Sequence, residues 1–202
     1  MVRNYDPDRP VPHAVVERVL HNAIRAPSAG FSQGWGFLVV RDPADRARFW
    51  AAGSGSDPTG PAAEPDSWLR AMRRAPVLIL CCSNKRTYLE RYAEDDKGWT
   101  DQDEARWPVP YWDIDTGMAA LLMLLTAVDA ELGACFFGVP VEHTDAVTAA
   151  FDVPADYRPI GVVSLGYPAH DRPGSTARRG RRADTDVLFE GRWGRPIDSP
   201  TG

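Results

Sequence analysis

An α+β sandwich, with helices covering a sheet of four or five strands, is the fold class this 202-residue chain predicts. Three observations lead there. Short apolar runs alternate along the chain with patterns of helical period. One run, Val77-Leu78-Ile79-Leu80-Cys81-Cys82, has no polar alternation, as expected of a strand covered on both faces. A segment of ~20 residues from Trp112 to Leu132 is apolar nearly all round, which marks a helix central to a fold or to an oligomer.

Residues 1–12 are extended and punctuated by proline. Pro12 then sits where a helix favours it, at the start. Val15, Val16, Val19, Leu20, Ala23 and Ile24 recur at helical spacing over 13–25, and Pro27, Ser28 and Gly30 end that helix. Phe37-Leu38-Val39-Val40 reads as a short strand, with a helix after it at 44–52. Residues 53–65 are rich in Gly, Ser, Pro and Ala and read as a mobile loop, before a short helix at 67–74. Residues 84–112 interleave aromatics with charges and show no clean period; they read as an excursion, part helix and part loop, and a candidate lid. Gly133 is expected to close the apolar helix as its C-cap. Strands follow at 134–137 and 160–165, with a helix at 142–151 between them. The segment 169–202 is polar, extended and arginine-rich, with Val187, Leu188, Phe189 and Trp193 as apolar anchors. The whole chain, 1–202, reads as one domain.

Apolar residues make up 44% of the chain and charged residues 25%, so it can build an ordinary core. The net charge of −5 argues against nucleic acid or an anionic membrane as partner. No uninterrupted apolar run reaches ~18 residues, and Asp113, Asp115 and Asp129 interrupt the long helix, so no membrane span is expected. The N-terminus lacks a signal-peptide core, and Cys81, Cys82 and Cys135 read as small buried thiols of a reduced, cytoplasmic protein. Neither a metal-ligand spacing nor a Ser-His-Asp grouping is present. Asp113 and Asp115 read as acids favoured by the helix dipole.

Two distant stretches carry the functional signal. Ala26-Pro27-Ser28-Ala29-Gly30-Phe31-Ser32-Gln33-Gly34-Trp35 offers small residues, exposed backbone and one amide side chain. The cluster Arg178-Arg179-Gly180-Arg181-Arg182 offers guanidinium forks suited to a phosphate. A cofactor with a polar ring edge and a phosphate tail would use both. Trp99, Trp107, Tyr111 and Trp112 either line a pocket for a flat aromatic substrate or serve as core packing.

With these motifs in order, the chain resembles the nitroreductase family of flavin mononucleotide (FMN) enzymes. The matching segments are Arg3-Asn4-Tyr5 with Arg9-Pro10-Val11-Pro12, the Ala-Pro-Ser…Gln-x-Trp stretch at 26–35, the apolar helix followed by Phe137-Gly138, and Gly166-Tyr167-Pro168 with the downstream arginines. The resemblance implies a mainly antiparallel sheet and a homodimer with FMN at its interface. It also implies an oxidoreductase that takes hydride from NADH or NADPH and passes it by ping-pong exchange to an aromatic, nitro- or quinone-type acceptor. Arg3, with Asn4 beside it, would lie near the N1–O2 edge of the flavin. Pro27, Ser28, Ala29 and Gly30 would form the loop under the ring, and Gln33 would bond the ribityl chain or pyrimidine edge. Phe137 and Gly138 would present backbone near N5, and Arg179 and Arg181 would hold the phosphate, with Arg178 and Arg182 as rivals. No side chain is assigned as a catalytic acid or base, since the cofactor carries the chemistry.

The sequence departs from the family pattern in three places. Phe31 stands where the family often has Asn, removing a polar contact near the flavin, and Gly34 stands where it often has Pro. Arg3 aligns with the end of the family's opening Arg-Arg-Ser-x-Arg, so a start a few codons upstream is expected. Two alternatives stay open on sequence. One is a flavin-cleaving or dehalogenating relative of the same fold, and the other a flavin- or deazaflavin-binding protein with little turnover.

Overall fold

A computed structural model describes residues 1–54, 67–169 and 180–197. The chain divides into two units, Met1–Ala169 and His170–Gly202.

In the first unit, α1 (His13–Ala23), β1 (Trp35–Val40), α2 (Pro43–Ser54), α3 (Ser67–Met72) and β2 (Val77–Ser83) come first. They are followed by α4 (Lys85–Ala93), α5 (Tyr111–Asp129), β3 (Gly133–Phe137), α6 (Thr144–Ala150) and β4 (Arg158–Gly166). The four strands form an antiparallel sheet in the order β1-β2-β4-β3.

β2 explains its own missing alternation. Val77, Ile79 and Cys81 belong to a core layer built with Val16, Val19 and Ala23 of α1 and with Ala119, Ala120, Met123 and Ala127 of α5. Leu78, Leu80 and Cys82 belong to the opposite layer, with Phe49 and Trp50 of α2, Met72 of α3 and Val147 of α6. Successive residues of a strand point to opposite faces, so covering both faces requires apolar residues at every position.

α5 lies in the first layer. Its 19 residues, with a mean hydropathy of 1.2, are long and apolar enough by length and composition to cross a membrane. Ile, Leu, Met, Val and Ala hold that average up against the three carboxylates, and a helix packed in a protein core passes the same test. Its inward face is core, and it also buries Asp115 and Thr116. Gly133 is not its C-cap. Glu131 takes the left-handed conformation at φ 57°, Ala130 caps the helix, and Leu132 N–H donates to the Ala127 carbonyl at 2.8 Å. The helix therefore ends earlier than expected, and Gly133 opens β3.

The N-terminal segment runs beside β3. Val2 N–H donates to the Ala134 carbonyl at 2.9 Å, and Tyr5, fully buried, donates its hydroxyl to the Val2 carbonyl at 2.8 Å. Tyr5 also bonds Ser164 Oγ at 2.8 Å.

In the second unit, a 3-10 turn at Asp184–Asp186 precedes a bridge between Phe189 and Pro196. Phe189 and Trp193 pair their rings at 4.8 Å, and Trp193 is 90% exposed, so the proposed apolar anchors form a local pair rather than a buried core.

Candidate active site

The Pro27–Gln33 loop joins α1 to β1 and has an unusual backbone. Gly30, Phe31 and Gln33 all have positive φ, at 62°, 57° and 54°. Only glycine adopts that region without cost, so two further residues there need outside support. Asp115 Oδ2 accepts from Ala29 N–H at 2.8 Å, and Arg91 Nε donates to the Gly30 carbonyl at 3.0 Å. Within the loop, Ser28 Oγ accepts from Gln33 N–H at 3.0 Å, and Ser32 Oγ donates to the Ala29 carbonyl at 2.7 Å. The Tyr92 ring closes over Gly30, where a Cβ would stand 2.5 Å from it.

Asp115 is the residue that sequence reasoning missed. It is 1% exposed, and the same Oδ2 that takes Ala29 N–H also accepts the Tyr88 hydroxyl at 2.8 Å. Burial, followed by this bond, raises the Tyr88 phenol well above its ordinary range. Asp113, the other acid read as dipole-favoured, accepts from Ser83 Oγ at 2.6 Å. Gly34 also has a structural reason. A Cβ there would meet the Tyr88 ring at 2.6 Å and the Asn84 carbonyl at 2.7 Å.

The four aromatics of the 84–112 excursion come together with Tyr88 and Tyr92. Trp107 sits at the centre, with Tyr92 at 4.5 Å, Trp99 at 5.6 Å, and Tyr111 and Trp112 each at 5.9 Å between ring centroids. The Trp107 indole N–H is buried with no partner among the described residues. Trp112 also lines a cleft of about 420 Å³ with Ser83, Lys85, Asp113 and Arg158. The cluster packs against the Gly30 loop through Tyr92, so packing and pocket-lining are not exclusive.

Arg3 and Asn4 lie at the other edge of the sheet. The Arg3 guanidinium sits beside Cys135, whose thiol burial pushes up and Arg3 partly draws back down. Phe137 and Gly138 end β3 on this same edge. The Phe137 ring stacks on Trp50 at 5.7 Å and 7°, beside a cavity of about 210 Å³. A Cβ on Gly138 would have nothing within 4 Å, so its backbone is open.

The predicted residues therefore fall into two groups within the first unit. Pro27–Gln33 flank β1, and Arg3, Asn4, Phe137 and Gly138 flank β3, at opposite ends of the strand order β1-β2-β4-β3. Three strand spacings separate those edges, ~14 Å. In the second unit, Arg181 and Arg182 are exposed, while Arg178 and Arg179 lie outside the described residues. Among the described residues, no group of three or more His, Cys, Asp or Glu side chains is placed to hold a metal.

Residues 1–167 match the Nitroreductase family. The chain belongs to the nitroreductase family. A relative from Methanothermobacter thermautotrophicus, provisionally named NADH dehydrogenase/NAD(P)H nitroreductase, is 29% identical over 178 residues, 86% of this chain and 75% of the relative. One of the same name from Archaeoglobus fulgidus is 25% identical, covering 82% and 79%. Among solved structures, an FMN-dependent nitroreductase from Clostridium difficile R20291 superposes with a TM-score of 0.65 at 18% identity, over 95% of this chain and 94% of that one. Membership of the family makes this chain an oxidoreductase, and the structural likeness shows the family's fold.

The donor set fits a flavin mononucleotide. Arg3 offers a cation on the edge of the sheet that β3 forms, where Gly138 leaves its backbone open. Ser28 and Gln33 offer a hydroxyl and an amide on the other. A flat, hydrogen-bonding, anionic ligand uses each of these groups.

Proposed function

We propose that this nitroreductase-family chain is an FMN-dependent oxidoreductase that takes reducing equivalents from NADH or NADPH and delivers them to a flat aromatic, nitro- or quinone-type acceptor, at a site completed by a second copy of the chain. FMN, when bound, supplies the two-electron carrier that accepts hydride from the nicotinamide and gives it to the acceptor in a second half-reaction.

The observation that carries the reading is the split of one donor set across two sheet edges. A homodimer would bring Pro27–Gln33 of one copy to Arg3, Asn4, Phe137 and Gly138 of the other. Arg3 would hold negative charge at the pyrimidine edge by Coulomb attraction. Gln33 would orient the ring by donating and accepting at once, and the Ser28 hydroxyl would donate a hydrogen bond to the cofactor. Phe137 and Gly138 would let the ring approach the β3 backbone closely while its other face stays open to donor and acceptor. Arg179 and Arg181 would add the phosphate charge. Trp99, Trp107, Tyr111 and Trp112 would form an aromatic flank to the acceptor site.

The second copy has a surface to use. On α5, Ile114, Leu121, Leu125 and Val128 are 41, 53, 57 and 71% exposed, a density of outward apolar side chains that a partner would cover.

The test is an absorption spectrum of the protein incubated with FMN and desalted, before and after NADH or NADPH under argon. A retained flavin spectrum that bleaches with reductant is expected. A protein that retains no flavin would contradict the reading, and oxygen-dependent loss of the bound flavin itself would favour a flavin-cleaving relative instead.

A further inference from the structure

Phe31 is placed where folding gives it no reason to be. Its φ of 57° is a conformation that bulky residues rarely adopt. The residue is 76% exposed, so apolar burial among the described residues does little to offset that strain. The neighbouring hydrogen bonds nevertheless fix it: Phe31 N–H donates to the Ser28 carbonyl at 2.9 Å, and the residues on either side are held by Asp115, Arg91 and Ser28. A strained backbone kept in place by its surroundings, presenting an uncovered ring beside Ser28 and Gln33, fits a side chain whose partner is a ligand.

We propose that Phe31 is a specificity-determining residue of the acceptor site, a stacking wall that selects flat aromatic acceptors over compact inorganic ones. This rests on the loop being part of the flavin site, as proposed above. The ring offers an apolar face and a quadrupole, which attract a planar π-system and do nothing for a hydrated octahedral anion.

The residue's strain makes the test discriminating. Asn tolerates the left-handed region far better than Phe, so Phe31→Asn relieves the backbone and removes the ring, while its amide adds a polar group that bears on FMN binding rather than on the choice between acceptors. Wild type, Phe31→Asn and the conservative Phe31→Tyr are each loaded with FMN. Each is assayed with saturating NADH or NADPH against menadione and against ferricyanide, and their melting temperatures are compared. Phe31→Asn is expected to raise the KM for menadione about two- to tenfold, the size of one lost ring contact. The KM for ferricyanide should stay within about twofold. The melting temperature should be equal or higher, and Phe31→Tyr should behave as wild type.

Equal effects on both acceptors, no effect on either, or a fall in melting temperature accompanied by loss of both activities would overturn the assignment. So would a loss of FMN affinity with an unchanged ratio of the two KM values. A wild-type protein that binds no FMN would overturn this inference together with the proposed function. A wild-type flavoprotein whose acceptor ratio ignores Phe31 would overturn this inference alone.

Discussion

Asp115 holds two elements together through one oxygen atom, taking Ala29 N–H from the loop and the Tyr88 hydroxyl from α4. Replacing it with Leu strands a buried hydroxyl and a half-buried N–H, so Asp115→Leu should lose about 2–4 kcal/mol of stability. That corresponds to a melting temperature lower by roughly 5–15 °C in calorimetry. Asp115→Asn keeps an acceptor and should lose much less. Gly30→Ala places a Cβ 2.5 Å from the Tyr92 ring at a φ of 62°, and should weaken FMN binding in a flavin titration more than it lowers the melting temperature. Sequence could not single out Asp115, since an acid in the first turns of a helix looks the same whether it faces solvent at the dipole or points inward. Sequence placed Ser28, Gly30 and Gln33 in one loop, where the structure has them, because Pro27, Ser28 and Gly30 break a helical pattern ahead of an apolar strand. The cysteines were legible too. Burial pushes the Cys81 and Cys82 thiols up to about 12, so the native protein should not react with a thiolate-seeking reagent at pH 8, while the denatured chain releases three reactive thiols. Rapid native labelling of Cys81 or Cys82 would contradict their packing.

At the scale of elements, β2 and α5 were read correctly for physical reasons. An uninterrupted apolar run of strand length needs cover on both faces, and β2 has it. A helix apolar all round needs neighbours on more than one side, and α5 finds α1 and the sheet on its inner side only. Its outer residues remain exposed, which is the element-scale argument for a second copy. Leu125→Glu, at a position 57% exposed, should leave the monomer's core intact while shifting the protein toward the monomer in size-exclusion chromatography at micromolar concentration. A wild-type protein that already runs as a monomer would remove that argument. The end of α5 was misread because Glu131, rather than glycine, adopts the left-handed turn, and no local signal distinguishes such a residue from an ordinary helical one.

At the scale of the molecule, several buried protons couple stability to alkaline pH. The thiols of Cys81 and Cys82, ordinarily near 9.0, hold their protons to about 12 when folded, and Tyr5 and Tyr88 are raised in the same sense by burial. An unfolded chain releases those protons earlier. The stability is therefore complete below pH 9 and falls as pH rises from 9 toward 12, so melting temperatures should decline steadily across that range. A flat profile to pH 11 would mean these groups are more accessible than their packing implies. Which edge of the sheet faces which in an assembly was not legible from sequence, because motifs align along a chain regardless of where folding puts them. The strand order β1-β2-β4-β3 is what separates Pro27–Gln33 from Arg3, Phe137 and Gly138.

That separation makes the central claim directly testable by subunit complementation. Arg3→Glu damages one half of the proposed site, and Gly30→Val damages the other. The two variants are purified separately, dissociated, mixed in equal amounts and reassembled with FMN, and NAD(P)H-dependent acceptor reduction is measured. If each site draws its halves from two copies, mixed dimers carry one intact site and one doubly damaged site. Random reassembly of a two-fold dimer then restores roughly a quarter of wild-type activity. An activity no greater than the average of the two variants alone would contradict a site shared between copies.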